Sequence, residues 1–146
     1  MKLVDVNILL YAINRGDPRH NSILQWWQAA LDDQEPIGIA WLVGLGFLRI
    51  SANSKALSKS WTFADAMRQL HEWLAYDNVQ IVQESERHWT ILKGLLERPG
   101  MSGKLTMDAH LAAIAIGTGA TLVSCDTDFA KFPGLHWQNP LLVSND

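Results

Sequence analysis

Four aspartates stand at places where the pattern of the chain changes. Asp5 directly follows the apolar pair Leu3-Val4, Asp126 directly follows Leu122-Val123-Ser124-Cys125, and Asp128 lies two residues further on. Asp108 falls in the first turn of a helix that Thr106 can cap. In open parallel α/β sheets ligands bind outside the carboxyl ends of the strands. Helix N-termini in such folds face the same edge, so the spacing allows all four carboxylates to converge on one site. Each also has a plainer use. Asp108 suits the positive end of a helix dipole, Asp126 and Asp128 suit a turn, and Asp5 beside Asn7 suits a helix cap. Converging anions repel one another and persist only around something positive. Hard oxygen ligands without cysteine select Mg²⁺ or Mn²⁺.

The remaining chemistry is sparse. Cys125 is the single cysteine, which excludes a disulfide framework and any cysteine-based zinc site. His20, His71, His88 and His136 lie in separate segments, and His110 follows Asp108 by two residues on a different helical face. All five are read as structural or solvated. Gly117-Thr118-Gly119-Ala120 follows a helix and precedes a strand, the wrong order for a dinucleotide loop. No acid occurs between Glu35 and Asp65, whereas Arg49, Lys55 and Lys59 make that stretch locally basic. An acidic centre with basic shoulders fits a phosphodiester enzyme, in which cations position the backbone and carboxylate-held metal performs the chemistry. A loop with solubilising lysines is the plainer account.

Short apolar runs alternating with helical periodicity must position these residues. Strands are expected at Leu3-Val4, Pro36 to Ala40, Val79 to Val82 and Thr121 to Cys125, with a short fifth near Trp137. Helices are expected from Pro18 to about Leu31, Trp41 to Ile50 (buried), Thr62 to Ala75, Glu86 to Glu97, and from Thr106 to Gly117 or Gly119. Gly44 and Gly46 inside the second of these each cost about 1 kcal/mol against Ala. They suggest close packing or room for a ligand. The alternation predicts one α/β domain over 1–146 with a mostly parallel sheet.

The chain has 146 residues, 48% apolar and 18% charged, enough for one core and outside the disordered range. A formal charge of −3 rules out a generally basic nucleic-acid coater. No export signal opens the chain, and the longest run free of both charge and strong polarity, Ile37 to Leu48, is too short to span a bilayer. A cytoplasmic protein with no membrane association is expected.

Taken in order, Leu3-Val4-Asp5-Val6-Asn7, Trp41-Leu42-Val43-Gly44, Phe47-Leu48-Arg49-Ile50, Asp108-Ala109-His110-Leu111-Ala112-Ala113, Leu122 to Phe129 and Phe132-Pro133-Gly134-Leu135 resemble the PIN-domain ribonucleases. Among these the chain is most similar to the VapC-type toxins of bacterial toxin–antitoxin pairs. The resemblance runs essentially end to end. It implies a three-layer α/β/α fold and an Mg²⁺-dependent endoribonuclease, usually dimeric and silenced by a cognate antitoxin. Asp5, Asp108 and Asp126 match the family's metal-site acids, and Asp128 matches as a further catalytic acid. Metal held there would lower the pKa of a bound water and stabilise charge on the scissile phosphate. One position departs: the family usually carries Glu on the helix after the second strand, where this chain has Gly46. The alternative is therefore an RNA- or partner-binding module weakened at Gly46. An antitoxin arm could land on Trp26, Trp27, Trp61 and Trp73, rings that could equally serve the core or a dimer contact.

Overall fold

The computed structural model describes residues 1–53, 57 and 61–142. Five strands form one wholly parallel sheet: β1 (Lys2–Val4), β2 (Ile37–Ala40), β3 (Val79–Val82), β4 (Thr121–Val123) and β5 (Trp137–Gln138), in the spatial order β3-β2-β1-β4-β5. Among the described residues six helices, α1 (Val6–Ile13), α2 (His20–Asp32), α3 (Trp41–Ser51), α4 (Phe63–Leu74), α5 (His88–Leu96) and α6 (Thr106–Thr118), complete a three-layer α/β/α arrangement. Buried parallel strands read as continuous apolar runs, and β2 is buried at all four positions. Leu3, Val4, Ile39, Leu122 and Val123 are fully buried between the helical layers.

Sequence signals explain the helix ends. Thr62 accepts from the Asp65 N–H while the Asp65 carboxylate accepts from the Thr62 N–H, a reciprocal cap that starts α4. Gly119, at φ 70°, closes α6 in the left-handed conformation. Two expectations are corrected. Thr106 does not cap α6, because a 3₁₀ turn (Gly103–Leu105) runs straight into it and makes Thr106 its first residue. Helix α3 is not buried throughout: Val43, Gly44 and Phe47 face the core, whereas Trp41 and Leu45 are exposed. Pro18 lies two residues before α2, in the turn leading to it.

The sheet order places a switch point beside β1. From β1 the chain steps outward through β2 and β3, then returns to the other side of β1 for β4 and β5. In open α/β sheets that crevice is where ligands bind. Asp5 and the segment Ser124-Cys125-Asp126 leave the sheet there side by side, since Val4 pairs with Val123 and the Asp5 N–H donates to the Val123 carbonyl at 2.9 Å.

Candidate active site

Asp5 begins as a helix cap: its Oδ1 accepts from the Val6 N–H at 2.7 Å, starting α1. Its Oδ2 accepts from the Ser124 hydroxyl at 2.7 Å and the Asn7 amide at 3.2 Å. Ser124 is fully buried, and its oxygen also accepts from the Asp126 N–H at 3.1 Å and from Asn7 Nδ2 at 3.0 Å. Asn7 closes the clamp by accepting from the Cys125 N–H at 3.2 Å. Three polar groups thus weld the end of β1 to the end of β4. Burial pushes the Asp5 carboxyl above its ordinary value, against the opposing hydrogen bonds from Ser124 and Val6.

Asp126 Oδ1 accepts from the Asp128 N–H at 2.9 Å, which folds the next residues into a 3₁₀ turn (Thr127–Lys131). The turn brings Asp128 back beside Asp126. Asp108 faces them from the first turn of α6. One carboxylate oxygen each from Asp108, Asp126 and Asp128 lies within 4.8 Å of the others. The Asp108 carboxyl is pushed up to about 6, first by burial and then by the charges of Asp126, Asp5 and Asp128. A convergent set of hard oxygens suits a small divalent cation, whose charge would relieve the repulsion among them. The spacing puts Asp128 in this triplet and Asp5 outside it, one step back. A cation is already at hand: Lys131 Nζ lies 2.9 Å from Asp128 Oδ1.

Asp5 and Asp108 also share the wall of a cleft of about 370 Å³ with Gly46 and Arg49. The Gly46 position is open there, since a Cβ would meet only Val6 Cγ2, at 3.6 Å. At Gly44 an added Cβ would be in ordinary contact with Leu70 and Ile39. Neither glycine is imposed by crowding.

Other expected residues fall elsewhere. Arg49 is exposed on the rim of the cleft, and Lys55 and Lys59 lie outside the described residues. His110 joins α6 to α5 through a 2.9 Å contact between its Nδ1 and His88 Nε2, with Glu84 3.5 Å from its Nε2. The expected landing surface is largely corrected. Trp27 and Trp73 are 1% and 6% exposed and meet edge to face at 5.5 Å, so they belong to the core. Trp26 is partly buried beneath Lys2 Nζ, and Trp61 is also partly buried. The exposed indoles are Trp41 and Trp89. Burial raises the Cys125 thiol to about 11, so it stays protonated and is no nucleophile at neutral pH.

Sequence reading missed Ser124, Asn7 and Lys131. Ser124 carried a signal: a serine ending a buried apolar strand needs hydrogen-bond partners, and the neighbouring strand ends in Asp5.

A parallel α/β/α fold with aspartates gathered at its switch point defines a small class, and the family model of the PIN domain matches residues 2–135. The chain belongs to the PIN-domain family. It is similar to Ribonuclease VapC33 of Mycobacterium tuberculosis, 39% identical over 141 residues that cover 97% of this chain and 99% of that one. Ribonuclease VapC37 of the same organism is 36% identical over 140 residues, covering 96% and 97%. Among solved structures, VapBC2 from Rickettsia felis bound to a promoter DNA fragment superposes with a TM-score of 0.71 at 23% identity, covering 94% of this chain and 97% of that one.

Proposed function

We propose that this chain is a metal-dependent endoribonuclease, the toxin of a toxin–antitoxin pair, acting in the cytoplasm as one domain over 1–146. The observation that carries the reading is the placement of Asp5, Asp108, Asp126 and Asp128 around one switch point. The relatives named Ribonuclease VapC support it. Asp108, Asp126 and Asp128 would hold Mg²⁺ or Mn²⁺, with Asp5 behind them in the ion's water shell or coordination sphere. A divalent ion held there would compensate the charge of a phosphodiester and favour the hydroxide form of the attacking water.

The protein's own groups prepare that site. Ser124 and Asn7 keep Asp5 in one orientation, and the Ser124 hydroxyl favours its ionised form against the burial that raises its pKa. Lys131 offsets part of the charge of Asp128 through an exposed ion pair, with which a divalent ion would compete. Arg49, with Lys55 and Lys59, would carry RNA phosphates. A cognate antitoxin and a second copy of the chain are the proposed partners; the solved neighbours described as VapBC complexes favour the first. The weakened-module alternative is disfavoured, because Asp108, Asp126 and Asp128 converge and Gly46 leaves open the cleft that Asp5 and Asp108 line.

Structured RNAs incubated with and without Mg²⁺, beside an Asp5→Asn control, test this. Cleavage only with metal, lost in the variant, is expected. Cleavage that survives EDTA or Asp5→Asn refutes the reading.

A further inference from the structure

We propose that the cleft beside Gly46 is a nucleobase pocket, which takes one unpaired base of the RNA while Arg49 contacts the phosphate next to that base. The inference rests on the nuclease reading and adds to it where the substrate's specificity is decided.

The cleft has two characters. One wall is anionic, from Asp5 and Asp108; the rest is apolar, from Leu42, Ile50 and Leu111 in the interior and Leu45 and Met107 at the mouth. Leu45 and Met107 are 58% and 54% exposed, an unusual state for large apolar side chains on either side of a charged site. The volume, about 370 Å³, lies at the small end of the ~300–1,000 Å³ range of ligand pockets, suited to one nucleotide. Asp108 belongs both to the acidic triplet and to the wall of this cleft, so a phosphate held at the triplet would have its neighbouring base beside the opening. A flat base ring would pack against the apolar lining, and the carboxylates in the wall offer acceptors for exocyclic amino groups. Single-stranded RNA offers such splayed bases, whereas a duplex does not.

Two local features fit this occupant better than a protein side chain. Gly46 leaves its part of the wall open at a cost in helix propensity, and no neighbour requires it. Arg49 lies one helical turn beyond Gly46, exposed on the rim, and forms no ion pair among the described residues. A guanidinium beside an apolar slot and an acidic metal site matches the sequence cation, base and phosphate along a nucleic-acid strand.

The test uses a fluorescent phosphorothioate-linked RNA hexanucleotide, which resists hydrolysis, bound to the full chain in Mg²⁺. Replacing one base at a time by an abasic residue should weaken binding about tenfold at one position and little at the others. In Gly46→Leu, which fills the slot and raises helix propensity, the penalty at that position should vanish while Mg²⁺ titration is unchanged. Arg49→Gln should weaken every oligonucleotide alike and reduce the salt slope by about 0.7. A flat abasic scan with normal cleavage of unmodified RNA overturns the pocket alone. Gly46→Leu binding every oligonucleotide as wild type does also overturns it, leaving the cleft to a protein side chain. Wild type that neither binds nor cuts RNA overturns the nuclease reading with it.

Discussion

Asp108 should make the metal-free protein less stable at neutral pH than at pH 5, and Asp108→Asn should remove most of that dependence. In the fold its carboxyl titrates at about 6 rather than at the usual 3.8. The folded state therefore binds a proton more tightly than the unfolded chain does. That stabilisation is complete below the unfolded value of 3.8 and is lost as pH rises through about 6. At 1.36 kcal/mol per pH unit the displacement corresponds to about 3 kcal/mol. Asp108 is only partly buried, so solvent screening reduces the effect to about 1 kcal/mol. Near pH 7.5 in EDTA the variant should melt a few degrees above wild type, about 2–4 °C for a chain of this size. Near pH 5 the two should approach one another. Mg²⁺ should invert the order at pH 7.5, because only wild type retains the triplet; an ion at a hundred times its Kd adds about 2.7 kcal/mol. Calorimetry at both pH values, with and without Mg²⁺, reads all four conditions. A lower melting temperature for Asp108→Asn at pH 7.5 in EDTA would refute the reasoning, since Asp108 would then be stabilising the apo fold.

Three further outcomes follow from the same geometry. Gly46→Glu should tighten Mg²⁺ in calorimetric titration with little loss of stability, because a Cβ there meets only Val6 Cγ2 at 3.6 Å; a misfolded variant would mean that the helix needs the glycine. Ser124→Ala should cost about 1–3 kcal/mol in urea unfolding, by stranding buried donors. It should also move the acid limb of the cleavage pH profile upward, since the Ser124 hydroxyl holds the Asp5 carboxyl down; an unmoved limb would show that Asp5 ionisation does not govern the rate. Trp27→Ala should lose about 3–5 kcal/mol from the core, whereas Trp41→Ala, on the surface, should stay within about 0.5 kcal/mol. Equal losses in the two would contradict the burial that separates them.

The architecture was legible because the apolar runs are short, buried on both faces and separated by helices with strong ends. Leu3-Val4 and Thr121 to Cys125 read as buried strands of a mostly parallel sheet, and the aspartates that follow them could then be placed at one edge. What sequence could not supply is which oxygens meet. Asp5 and Asp126 each follow a strand and look equivalent. Yet the Asp5 oxygens face Val6, Asn7 and Ser124, whereas Asp126 caps a tight turn that carries Asp128 toward Asp108. That difference depends on a turn only five residues long and on a hydroxyl 119 positions from its partner. The tryptophans failed for a related reason. Their number was visible, but an indole's burial is decided by helix packing, and Trp27 and Trp73 found each other across the core. Gly46 lies between these extremes. Its position on α3 was readable, its departure from the family was readable, and only the fold shows that the side chain it lacks would have pointed into the cleft that Asp5 and Asp108 share. A missing carboxylate at that point would remove charge from the surroundings of a bound divalent ion, and it opens space in the cleft. On the proposed reading the two effects pull in opposite directions, weaker ion binding against a deeper seat for substrate. Gly46→Glu and Gly46→Leu separate them: the first restores charge and the second removes space.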